Sequence, residues 1–129
     1  PRPENNTFEI QLQPDTNSNA FASVMVNASG SSATFFAKHP DFPNPGDWRP
    51  GQVVATKVTD AGWSGMVAIP WDSLGIKLIP GMSIKANFFR YRPETKRAVW
   101  SPSPPAWTSK MELARGTERF GTISFPEEL

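Results

Sequence analysis

The chain has 129 residues, enough for one domain with a core of its own. Its apolar fraction of 38% and charged fraction of 19% exclude a disordered chain, and a net charge of +1 gives no footprint for a nucleic acid. It contains no cysteine, so disulfides, thiolate metal sites and a catalytic thiol are excluded as well.

Residues 7–13 alternate strictly. Phe8, Ile10 and Leu12 fall on one face and Glu9, Gln11 and Gln13 on the other, which predicts a half-buried strand. Residues 14–19 are a turn by composition, and residues 20–27 read as the return strand of a hairpin. A short apolar strand follows at 33–37. Residues 39–51 hold four prolines and two glycines, which forbids a helix and predicts a loop. Residues 52–59 and 63–69 read as strands around the tight turn Asp60-Ala61-Gly62, and Pro70 ends the second. Trp71 to Leu74 make one helical turn before Gly75. Residues 83–91 are a strand with Ile84, Ala86 and Phe88 toward the core. Residues 96–100 form a short partner, 101–109 a proline-rich loop, and 119–125 a closing strand; a short helix is possible at 110–115.

About eight short strands separated by turns, in a chain whose 14 prolines are about twice the usual share, predict an all-β, antiparallel β-sandwich or barrel. No apolar run approaches the roughly 20 residues of a membrane-spanning helix, and membrane insertion is not expected.

Chemistry-bearing motifs are sparse. No glycine-rich phosphate cradle is present. His39 is the single histidine and sits in the proline-rich loop, where it reads as a surface residue. Glu9 could supply one acid of a hydrolytic carboxylate pair, but no second acid is placed to stand about 5 to 9.5 Å away. These observations favour a binding protein over an enzyme. Asp15, Asn17 and Asn19 alternate within one turn, as in some calcium loops, and a structural calcium ion is the alternative to a plain polar turn.

The order of segments is specific. Phe8-Glu9-Ile10-Gln11-Leu12 is followed by Gly62-Trp63, Ile69-Pro70-Trp71, Leu74-Gly75, Asn87-Phe88-Phe89-Arg90, Trp100-Ser101-Pro102 and Phe120-Gly121. The chain resembles, over nearly all its length, the family 9 carbohydrate-binding modules and their DOMON-like, immunoglobulin/jelly-roll-like relatives. The resemblance implies a single family 9-like β-sandwich domain over 1–129, within a larger extracellular, periplasmic or cell-surface protein. Family members carry further strands before the Phe8 strand, so an N-terminally incomplete fragment is expected, with another chain or segment supplying the missing strands.

In the family a terminal sugar is held between two tryptophans with polar groups around it. Trp107 matches one tryptophan and Glu9 an acidic hydrogen-bonder. The other tryptophan falls near Pro3, a binding arginine at Met25 and a binding glutamine beside Phe89, where Arg90 is the nearest polar candidate. Sugar rings stack on indole, and Trp48 and Trp107 both stand in proline-rich loops, either exposed for binding or packed over a sheet edge. Trp63, Trp71 and Trp100 read as core. The expected carbohydrate contacts are thus Trp107, Glu9, Arg90 and Trp48. The alternatives are a structural or interaction domain without sugar binding, and a haem-binding relative using Met25, Met66, Met82 or Met111 with His39.

Overall fold

The computed structural model describes residues 7–91, 98–100 and 120–128. They form an all-β fold of two antiparallel sheets. Eight strands follow in order: β1 (Thr7–Gln13), β2 (Phe21–Asn27), β3 (Ser32–Ala37), β4 (Val53–Thr59), β5 (Gly62–Ala68), β6 (Ser83–Tyr91), β7 (Ala98–Trp100) and β8 (Gly121–Ser124). Single 3₁₀ turns stand at Pro45–Asp47 and Trp71–Leu74. The residues of the proposed 110–115 helix and the 101–109 loop lie outside the described residues.

The larger sheet runs β3-β2-β1-β6-β7, and β8 also pairs with β6. The far edge of β6 is shared. β7 pairs with Phe88, Phe89 and Arg90, and β8 with Ser83 to Ala86. β1 is therefore central, paired from Thr7 to Leu12 with β2 on one side and from Thr7 to Gln13 with β6 on the other.

The turns follow from local polar chemistry. After β1, Asp15 Oδ1 accepts from the Asn17 N–H at 2.9 Å, and Gln13 Nε2 donates to the Ser18 carbonyl at 2.6 Å. The alternating Asp15-Asn17-Asn19 segment is thus an Asx turn closing a hairpin. After β2, Asn27 Oδ1 accepts from the N–H groups of Ser29 and Ser31, with Gly30 at φ 87° completing the reversal.

The core sits between the large sheet and the β4–β5 hairpin. Ala22, Val24 and Val26 of β2 are buried with Phe36, Trp48 and Leu74; Leu12, Val54, Trp63, Val67, Ile69 and Trp71 pack against them. Cross-strand register explains the set. Leu12 stands opposite Ala22 and Ala86, Ile10 opposite Val24 and Phe88, and Phe8 opposite Val26 and Arg90. Residues opposite one another in an antiparallel ladder share a face, so these make one continuous row toward the hairpin.

The proline-rich loop covers the β3 edge, which would otherwise expose unpaired backbone. Thr34 Oγ1 donates to the Trp48 carbonyl at 3.2 Å, and Gln52 Nε2 to Ser32 Oγ at 3.0 Å. Phe36 gathers the loop's rings. Trp48 meets it edge-on at 5.3 Å and His39 at 4.6 Å, while Phe42 stacks at 6.2 Å. His39 is accordingly half-buried rather than a free surface residue; its Nδ1 accepts from the Asp41 N–H.

The β4–β5 hairpin is the least covered element. Val53 is 67% and Met66 72% exposed on its outer face, and among the described residues both outer edges are unpaired.

Phe36 joins sheet and loop, so Phe36→Ala is expected to lower the unfolding free energy by about 3–5 kcal/mol. Denaturant titration followed by circular dichroism measures this. A loss below about 1 kcal/mol would mean that the loop is not anchored through this ring.

Candidate functional site

The alternation of β1 separates two of the residues expected to act together. Glu9 stands opposite Met25 on β2 and Phe89 on β6, whereas Arg90 stands opposite Phe8. Successive side chains point to opposite faces. Glu9 therefore belongs to the face away from the hairpin, and Arg90 to the face beneath it. The two do not share a site.

On the Glu9 face a polar row crosses the middle of the sheet. Glu9 Oε2 accepts from Gln11 Nε2 at 2.7 Å and from Ser23 Oγ at 2.8 Å. Gln11 and Ser23 are both 0% exposed, and Gln13 and Asn87 are buried beside them. The β1 pattern predicts that the apolar row is the buried one. In the structure Gln11 and Gln13 are buried while Phe8, Ile10 and Leu12 are only half-buried. The cost of burying the amides is offset on the donor side, where each Nε2 reaches a fixed acceptor, one of them a carboxylate, while Gln13 Oε1 is left without a partner among the described residues. Phe21 and Phe89 are also buried on this face, and Phe21 meets Phe120 edge-on at 5.8 Å. Thr7, Glu9 and Met25 are half-buried, so the polar row reaches solvent at its Glu9 end.

On the opposite face Arg90 lies over the indole of Trp63, with its guanidinium carbon 5.9 Å from the ring centroid. Phe8, Val26, Ser64, Gly65 and Val67 complete the lining of a cavity of about 200 Å³ at this point. Gly65 lies under the indole, and a Cβ built there would stand 3.4 Å from Trp63 Cζ3, a van der Waals contact.

Trp48 requires a correction. The sequence places it in a proline-rich loop as a candidate sugar platform, but it is 2% exposed and its Nε1 donates to the Ser73 carbonyl at 3.0 Å. Its indole is enclosed by Phe36 and the 3₁₀ turn at Trp71–Leu74, and offers no face to a ligand. Proline-rich loops lie on the surface as backbone, but this one turns its ring inward. Trp107 lies outside the described residues, as does Met111. Trp63 and Trp71 are half-buried against the core. The remaining haem-ligand candidates are dispersed. His39 packs on Phe36 and Phe42, Met66 is exposed on the hairpin, and Met82 Sδ accepts from the Ile79 N–H.

Alternation along β1 put Gln11 on the Glu9 face, but sequence reasoning missed Ser23 and Asn87 as companions of Glu9, and Trp63 as companion of Arg90. The signal is the pairing register, which joins residues of strands distant in sequence. Comparison of the chain with protein-family models and with curated proteins finds no match.

Removing the shared acceptor should destabilise the sheet. Glu9→Ala leaves the Gln11 amide and the Ser23 hydroxyl without it, at about 1–3 kcal/mol for each buried donor left unmade. Glu9→Gln keeps one acceptor oxygen and should cost less. Denaturant midpoints of the two variants compare them directly; equal losses would show that the hydrogen bonds to Glu9 do not hold this face.

Proposed function

We propose that this chain is a non-catalytic carbohydrate-binding module of a larger secreted or cell-surface protein, a sandwich of the family 9-like, DOMON-like kind. Its binding surface is the Glu9 end of the polar sheet face, with Trp107 as the stacking indole. The observation that carries this reading is the Glu9 carboxylate, fixed by Gln11 and Ser23 at the point where a buried polar row meets solvent. Sugar hydroxyls need a few polar groups held in advance, because each mobile side chain ordered on binding costs affinity. One oxygen of Glu9 is held by two donors, which orients the other. Arg90 and Trp48 are not contacts in this reading, since one faces the hairpin and the other is core.

A second reading, an interaction domain without sugar binding, is favoured by a different observation. The β4–β5 hairpin exposes Val53 and Met66 and leaves its edges open among the described residues. Such edges accept an added strand.

Intrinsic tryptophan fluorescence titrated with a panel of mono- and oligosaccharides tests the first reading. A saturable change is expected, abolished by Trp107→Ala. Glu9→Gln should weaken it about tenfold, the equivalent of one charge-assisted hydrogen bond. No response across the panel from folded protein would remove the sugar reading and leave the interaction domain.

A further inference from the structure

We infer that the cavity between Arg90 and Trp63 binds a small carboxylate with an apolar body. It is separate from the sugar surface, on the other face of the same sheet. The cavity is formed where the hairpin crosses the end of β1, β2 and β6: Phe8, Val26 and Arg90 come from the sheet, and Trp63, Ser64, Gly65 and Val67 from β5.

Two of its polar atoms are buried donors without acceptors, and Ser64, which also lines it, can accept as well as donate. Trp63 Nε1 and Arg90 Nε are buried atoms, and neither has a hydrogen-bond partner among the described residues. Among the described residues no carboxylate pairs with Arg90, whose guanidinium lies over the Trp63 ring instead. A buried donor left unmade costs about 1–3 kcal/mol, and more when it belongs to a charged group. Arg90 is half-buried as a residue, so the cost falls on its unpaired Nε, and a ligand that accepts from it would relieve that cost.

The lining selects the ligand's chemistry. Indole has only a donor to give, and guanidinium only donors. The occupant must therefore bring acceptors, and the guanidinium favours an anion. Arginine's planar fork matches a carboxylate's two oxygens. One cation balances one negative charge, so a carboxylate suits the site better than a doubly charged phosphate, whose excess charge would face Phe8, Val26 and Val67. Those three side chains call for an apolar remainder. A volume of about 200 Å³ is the space of on the order of seven waters, which suits a ligand of benzoate or hexanoate size.

The test follows the Trp63 indole N–H resonance, assigned with Trp63→Phe, as benzoate, hexanoate, acetate, inorganic phosphate and benzyl alcohol are added separately. Saturable downfield movement with benzoate or hexanoate is expected, at least tenfold weaker with acetate or phosphate, and absent with benzyl alcohol, which has the ring without the charge. Arg90→Gln should weaken benzoate binding at least tenfold. Arg90→Lys, which keeps the charge but not the fork, should fall between the two, and serves if the glutamine variant does not fold. No saturable movement with any carboxylate overturns the proposal, as does equal binding of benzyl alcohol or phosphate. Unchanged affinity in the folded Arg90 variants also overturns it. The sugar titration reads Trp107 and Glu9, so either result stands without the other.

Discussion

The structure depends on the double pairing of β1. This seven-residue strand is bonded to β2 and β6 at once, and its alternation decides what lies on each face of the large sheet. A slip of one residue would carry Phe8, Ile10 and Leu12 to the Glu9 face and break both ladders together. The register also places each possible site. Because Glu9 meets Phe89 and Phe8 meets Arg90, the acid and the base lie back to back across the sheet rather than side by side.

The two faces meet the problem of burial differently. Toward the hairpin, aliphatic side chains of β2 close the core with Trp63 and Val67, and the residual polarity is concentrated at Arg90. On the other face, amides and hydroxyls are buried deeply but converge on a carboxylate and on a turn carbonyl. Among the described residues, the second is satisfied at Glu9 but leaves Gln13 Oε1 without a partner, and the first leaves Trp63 Nε1 and Arg90 Nε without one.

Prolines act on this architecture indirectly. Residues 39–51 cannot be helix or ladder, yet they lie along β3 because Phe36 offers a ring on which His39, Phe42 and Trp48 assemble. Trp48 reaches further, to the Ser73 carbonyl, and so ties the loop to the 3₁₀ turn beyond β5. Its role is that of a bolt between loop and core. Among the described residues the hairpin has no such anchor on its outer side, where Val53 and Met66 are exposed.

The strands were legible in the sequence because alternation and turn residues are local signals. The strand at residues 7–13, the Pro70 stop, the helical turn at Trp71 and the β6 strand all appear where the sequence placed them, within a residue or two; of the expected β6 core row Ile84 and Ala86 are buried and Phe88 only half-buried, while Asn87 and Phe89 on the other face are buried. The deep burial of Gln11 and Gln13 was not legible, since a polar side chain reads as solvent-facing until its partner is known. Nor was the inward turn of Trp48, because loop composition describes a backbone and not the direction of a ring. The sequence by itself determined the all-β class and the order of strands along the chain. Only the tertiary structure decided that Arg90 joins Trp63 and leaves Glu9. The physical reason is that face membership in a sheet depends on the register between strands about 80 residues apart, which no local pattern specifies.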